Sequence, residues 1–393
     1  MKYRLAVIHV GFALTGVVTT LLGPTLPLLT ARWNLNDAQA GRLFTAQFVA
    51  GLLGSLAGIY LLRRVGTRWT IRLGMLVVAC GVALVGSAAV PIGIAGICLY
   101  GVGLGFAIPS TNLLVAQITT ENKIAALNLL NFSWTAGAVV GPLLISASRS
   151  NLGLRGFLAS VSIAVLAVAA AEFFSGPPLG AVAGTSQDGK LEPANRLLFA
   201  LLSFLFLLLY IGVENGFSGW LSAFSVRLHH TTASSTAIIQ SSFWGMILLG
   251  RLLAPLFLRW LGQNRLMFGG LGAAAIGTVI TIWAPNLLSM EVGVLMAGLG
   301  LATLFPTAAA IFTEWVGTGP MGSVVLGACG VGGAIIPALM GFVAFQTGSL
   351  RAGFWLLLIT LCVASAIFWR MSKLTESQGE DTPHPLPDIP QIS

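Results

Sequence analysis

The chain has 393 residues, 56% of them hydrophobic and only 8% charged, with a formal net charge of +8 and a mean hydropathy of +0.91. So little charge cannot hold a chain of this length in water, which excludes a soluble globular protein and points to a polytopic membrane protein.

A bilayer core of ~30 Å needs roughly 20 apolar residues per helix. Backbone groups in lipid must pair internally, so apolar runs of that length read as helices. In chain order they fall at about 5–30, 40–62, 69–90, 93–117, 123–147, 153–174, 196–224, 236–260, 265–284, 289–314, 320–346 and 352–371, with ends good to ~2–4 residues. The expected fold class is an all-α polytopic membrane protein of twelve transmembrane helices. They form two pseudo-symmetric six-helix bundles, at 1–174 and 196–371. A Gly-, Pro- and Ala-rich stretch over 175–195 reads as a cytoplasmic linker, and the polar segment 372–393, with Pro383, Pro385, Pro387 and Pro390, as a disordered tail.

With the N-terminus inside, thirteen Lys and Arg residues face inward and six outward. That bias places both termini in the cytoplasm of a bacterial cytoplasmic (inner) membrane protein. It also accounts for the net charge, so no nucleic-acid partner is expected. The first span is too long for a signal peptide and lacks a small-x-small cleavage site, so it is expected to be retained. Cys80, Cys98, Cys329 and Cys362 lie within apolar spans without metal-ligand spacing and read as small core residues. No metal or cofactor is expected.

The two halves repeat one another at an offset of about 196 residues. Gly101-Val102-Gly103-Leu104 with Pro109 returns as Gly298-Leu299-Gly300-Leu301 with Pro306. Leu62-Arg63-Arg64-Val65-Gly66 returns as Leu258-Arg259-Trp260-Leu261-Gly262, and Gly137-Ala138-Val139-Val140 as Gly333-Ala334-Ile335-Ile336. Paired bundles of this kind suit a secondary transporter, with substrate held between them at mid-depth.

An ionisable side chain inside a bilayer costs ~2.5–3.5 kcal/mol on insertion scales, so each asks for a reason. Glu214 is the acid well inside a span, and its repeat position is Val18. A carboxylate in one half only suits a specific site, for substrate contact or proton coupling. The bland alternative is a hydrogen-bonded acid that orders span 7. Tyr210, Glu214 and Phe217 share a helical face, with Trp220 further outward and Asn215 adjacent. Hydroxyl partners beside aromatic planes suit a sugar. Arg251 is the base well inside a span, and Gln240 and Trp244 share its face. It reads as a gate residue paired with Glu314 or as one that snorkels to headgroups, with direct substrate contact the lesser alternative. Span 5 presents Asn128, Asn131 and Thr135 on one face with Trp134 beside them. Asn112, Gln47 and His9 read mainly as packing residues. The stripe Gly51, Gly54, Ser55, Gly58 on span 2, with Gly327, Gly330, Gly333 and Gly341 on span 11, suits either helix sliding or tight packing. Pro109 and Pro306 are expected to break their helices at equivalent depths.

Nothing marks an enzyme: G-x-S-x-G, H-E-x-x-H and the phosphate-binding Gly-rich loop are all absent. The chain resembles the major facilitator superfamily over nearly its whole length. The loop Leu62-Arg63-Arg64-Val65-Gly66-Thr67-Arg68 looks like that superfamily's signature without its usual Asp. Tyr210-Ile211-Gly212-Val213-Glu214, Phe243-Trp244-Gly245-Met246 with Gly250-Arg251, Phe305-Pro306-Thr307 and Thr347-Gly348-Ser349-Leu350-Arg351 resemble the fucose permease and hexose transporter group. The resemblance implies proton-coupled uptake of a monosaccharide. That group's permease uses carboxylates in spans 1 and 4; here both spans lack Asp and Glu, so coupling falls to Glu214.

The expected function is therefore alternating-access symport of a sugar with protons by a monomer in the bilayer. Candidate substrate residues are Glu214, Asn215, Tyr210, Asn128, Asn131, Trp134, Gln240 and Trp244, with Glu214 coupling and Arg251 and Glu314 gating. Efflux of amphipathic compounds, an uncoupled sugar facilitator and a transport-dead sensor are the rivals.

Overall fold

The computed structural model describes residues 2–119, 123–148, 152–173, 191, 193–317, 325 and 327–379. Ten of its helices are long and apolar enough to cross a membrane, and Leu5–Thr19 with Leu22–Trp33, bent by 43°, makes an eleventh crossing. The 51-residue run Ala233–Trp283 contains non-helical backbone at Gly262 (φ 73°, ψ 167°), which divides it into spans 8 and 9 and brings the number to twelve. The chain is thus an all-helical integral membrane protein, as its composition requires.

Span 1 is Lys2–Thr19 with Leu22–Trp33, span 2 Asp37–Val65, span 3 Thr67–Val85, span 4 Val90–Ile118, span 5 Lys123–Ser148 and span 6 Gly153–Phe173. Span 7 is Pro193–His229, span 10 Leu287–Ala302 with Leu304–Val316, span 11 Gly332–Thr347 with the turn before it, and span 12 Leu350–Gly379. The last helix runs past the expected end at 371, because Lys373 and Glu376 pair one turn apart and Ser372 and Thr375 bond back to the helix. Residues 372–379 are therefore helix and not disordered tail; 380–393 lie outside the described residues. Residues 174–190, and with them nearly all of the expected linker, also lie outside; Leu191 donates its N–H to the Trp315 carbonyl (3.1 Å).

The internal repeat is visible in how backbones approach. A side chain at Gly101 would meet the Gln47 carbonyl, and one at Gly298 the Phe243 carbonyl. Gly103 stands to the Gly74 carbonyl as Gly300 stands to that of Gly270. The turns after spans 2 and 8 both hinge on a left-handed glycine, Gly66 (φ 81°) and Gly262 (φ 73°). Nothing lies within 4 Å of a side chain at Gly262, so Gly262→Ala meets backbone strain alone. It is expected to lower stability by ~1–3 kcal/mol, read as an earlier thermal unfolding midpoint in detergent. An unchanged midpoint would mean the turn has no need of glycine.

Two local expectations need correction. Pro109 does not break its helix: Val90–Ile118 is continuous, with Gly101, Gly103 and Gly105 lying against spans 2 and 3. Span 10 does break, at Thr303, one turn before Pro306, and Ala302 stands where Gly105 stands in span 4. The Gly51–Gly58 stripe packs on span 4 inside its own half, with Gly54 against Val102 and Gly58 against Phe106, so it is tight packing. Cys80 and Cys362 face outward, so only Cys98 and Cys329 take interior positions.

The halves meet on the side away from the N-terminus. There Gly41 lies against Pro337 and Ala338, Gly219 against Phe44, and Thr45 donates to the Ala334 carbonyl (2.9 Å). Toward the N-terminal side they part. Gly327 and Gly330 face open space, and Leu53, Leu56, Tyr60, Leu252, Leu256 and Trp260 are exposed.

Candidate functional site

Where the halves begin to part, spans 5, 7 and 8 bring together Glu214, which is buried, and Arg251, which is a quarter exposed. The Tyr210 hydroxyl donates to Glu214 Oε1 at 2.7 Å, one helical turn away on span 7. Arg251 of span 8 reaches the same oxygen through Nη2 (3.3 Å), and its Nη1 donates to the Thr135 hydroxyl of span 5 (3.0 Å). The chain of contacts Tyr210–Glu214–Arg251–Thr135 therefore crosses from the second half to the first. A carboxylate and a guanidinium at this depth compensate one another, which removes most of the cost of burying either alone. Arg251 therefore pairs with Glu214 and not with Glu314, correcting the expected gate. The reason is reach: at mid-span the guanidinium finds a carboxylate on the adjacent helix, so it has no need to extend toward the N-terminal side. Glu314 lies there, in the wall of a cavity of about 620 Å³ shared with Arg265, Trp315 and Glu376.

Aromatic groups frame the pair. Trp134 and Trp244 meet edge to face across the halves (centroids 5.6 Å apart, 79°), and Phe305 of span 10 lies 5.9 Å from the Tyr210 ring. Asn128 and Asn131 are exposed and lie two turns and one turn, respectively, from Thr135 on its face of span 5. Asn131 Nδ2 bonds back to the Leu127 carbonyl, and Asn215 Nδ2 to that of Ile211, leaving their carbonyl oxygens as the outward-facing acceptors. Two donors at the centre have no acceptor among the described residues: Trp244 Nε1, on a side chain 1% exposed, and Arg251 Nε.

Other expected members lie elsewhere. Gln240 is fully buried with both ends engaged in its own half, accepting from Ser222 and donating to the Ser218 carbonyl (2.8 Å). Its amide closes a gap between spans 7 and 8, where Gly23 of span 1 also approaches, and its bonds tie those helices together without reaching the cluster. Phe217 stacks on Phe243 (5.0 Å) and meets Phe354 edge to face, and the Trp220 indole donates to the Pro337 carbonyl, so both rings are core and not a sugar platform. Gln47 donates to the Thr19 carbonyl and accepts from Tyr100, His9 joins Ser133, and Asn112 bonds back to Ile108, all packing roles.

One pair was not foreseen. Asp37, at the start of span 2, grips Arg227, at the end of span 7, through both carboxylate oxygens (Nη1 to Oδ2 2.8 Å). Each is an ordinary helix-end charge in the sequence, and only the docking of the halves makes them partners. Arg227 is half exposed, so the pair contributes ~1 kcal/mol after screening. Asp37→Asn is expected to widen the distance between spin labels at positions 42 and 351, in a background without the native cysteines, in a population raised ~5-fold. An unchanged distance distribution would assign the closure to the glycine contacts alone.

The pattern describing the Major Facilitator Superfamily matches residues 8–324. The chain is 24% identical to the glucose/galactose transporter of Brucella abortus, over 86% of this chain and 89% of that one. It is 22% identical to sodium-dependent glucose transporter 1 of Xenopus laevis, over 92% and 80%. Among solved structures, a bacterial homologue of the human lysosomal transporter Spinster, inward-facing and occupied, superposes with a TM-score of 0.75, 16% identity and 96% and 98% coverage. The fucose transporter FucP in its outward conformation gives 0.64, 17%, 94% and 99%.

Proposed function

Because the chain belongs to the major facilitator superfamily, we propose that it takes up a monosaccharide by alternating access, driven by protons through Glu214. The carrying observation is the Tyr210–Glu214–Arg251–Thr135 chain, a single charged cluster at mid-depth that joins the halves where they part. The names of the relatives support sugar as cargo. The inward bias of the basic residues supports cytoplasmic termini in a bacterial inner membrane, and on that orientation the halves are open to the inside. The higher TM-score with the inward-facing neighbour supports the same state.

In this reading Asn128, Asn131 and Asn215 offer amide oxygens to hydroxyls, and Trp134 and Trp244 offer ring faces and edges to C–H surfaces. Gln240 is not part of it. The halves, 1–174 and 196–371, rock as units about the cluster, and one chain suffices as a monomer. A transporter cycles only if its ligand binds the two states differently, and a cluster with members in both halves changes its geometry whenever they move. Reconstituted protein is expected to accumulate labelled D-glucose, D-galactose or L-fucose under an inward proton gradient. Gradient-blind equilibration would make it a facilitator, and extrusion of an amphipathic dye with no sugar flux would make it an efflux pump.

A further inference from the structure

The centre of the site holds more donors than acceptors. Arg251 brings five N–H groups and Trp244 one, while the hydroxyls of Tyr210 and Thr135 are already committed as donors, to Glu214 and to the Asn131 carbonyl. Glu214 Oε1 already accepts from Tyr210 and, at 3.3 Å, from Arg251 Nη2. A fully committed guanidinium–carboxylate contact is shorter and takes two parallel bonds. Here the contact is single and long, and Arg251 Nε, beside the engaged Nη2, has no acceptor among the described residues. Trp244 Nε1, on a side chain 1% exposed, has none either. The two residues lie seven apart on one face of span 8, a rise of about 10 Å, with Trp134 standing edge-on to Trp244 between the halves.

A neutral hexose asks only for groups that match hydroxyls, and amides would serve it without bringing a charge into the membrane. An arginine is the costlier choice and is matched in shape and charge to a carboxylate. Resting on the sugar-uptake reading and narrowing it, we propose that the sugar taken at this site carries a carboxylate, which displaces Glu214 from Arg251.

The charge balance then fixes the coupling. In the empty site Arg251 and Glu214 sum to zero. When the sugar carboxylate takes Arg251, Glu214 is left as a buried anion without its cation, and one proton from the water on the loading side balances it, held beside Tyr210. Carboxylate and proton cross as a neutral pair. On release Glu214 returns its proton to water and regains Arg251. No bond in the sugar is made or broken. The indole N–H of Trp244 is the further donor, for a hydroxyl of the same sugar.

The test uses the full chain in proteoliposomes with labelled D-glucuronate, D-galacturonate and D-glucose under an inward proton gradient. Uronate uptake is expected to exceed glucose uptake about ten-fold, and either uronate should compete with glucose in excess. Arg251→Gln should cost uronate flux about ten-fold more than glucose flux. Since that variant leaves Glu214 unpaired and risks misfolding, Trp244→Phe and Arg251→Lys serve beside it. The first removes one N–H and the second keeps the charge without the fork, and each should weaken uronate uptake selectively. Glucose uptake with no uronate uptake or competition would overturn the carboxylate while leaving sugar transport standing. No flux of either kind would overturn both.

Discussion

Glu214→Gln is expected to abolish gradient-driven accumulation of sugar while leaving sugar exchange across the membrane intact. Glutamine keeps the shape and still accepts from Tyr210, whose hydroxyl lies 2.7 Å from the carboxylate in the native protein. It cannot gain or lose a proton, so the step that ties the cycle to the gradient disappears. It also leaves Arg251, a quarter exposed, without its counter-charge, which costs less than the ~3–5 kcal/mol of a fully buried pair, so a modest fall in thermal stability should accompany the loss. Exchange at equal sugar concentrations needs only the rocking of the loaded protein and should persist. Accumulation at the native level in the variant would reduce Glu214 to a structural acid.

The second large effect is steric. A side chain at Gly41 would first meet span 11, with Ala338 Cα at 3.0 Å and the Pro337 carbonyl at 3.1 Å. Gly41→Leu therefore wedges the halves apart on the side where they meet, at a cost of ~1–3 kcal/mol, or up to about a 100-fold shift between the two open states. Transport should fall close to background, with sugar still bound and spin labels at positions 42 and 351 far apart. Gly54→Leu makes the useful contrast. There the new side chain would strike Val102 of span 4, within one half, so it should impair folding and leave the balance between states untouched. Equal behaviour of the two variants would contradict rigid halves moving against each other.

Which parts of this were legible in the sequence follows from what each signal depends on. Twelve crossings could be read because bilayer thickness and backbone satisfaction are local demands on apolar length. The repeat could be read because Gly101 and Gly298, or Gly66 and Gly262, answer the same close approach or the same left-handed turn in each half. Glu214 and Arg251 stood out because charge within a span is conspicuous. Their pairing did not, since helical position gives depth and face but not which helix lies opposite. The same blindness placed Gln240 in the site and read Phe217 and Trp220 as part of a sugar-facing surface, where these groups on spans 7 and 8 proved to be contacts between those helices and with spans 11 and 12. Asp37 and Arg227 escaped notice because charges at helix ends are commonplace, and 190 residues of chain separate them. Pro109 misled because a proline's tendency to break a helix is local, and its helix runs on unbroken with glycines lying against its neighbours.

The most direct test of sugar–proton coupling is to record external pH as a pulse of transported sugar is added to de-energised proteoliposomes of the wild-type protein. Coupled uptake draws protons in with the sugar, so the medium should turn alkaline at once, with no such change in Glu214→Gln. Sugar entry without any pH change in the wild type would contradict proton coupling at Glu214.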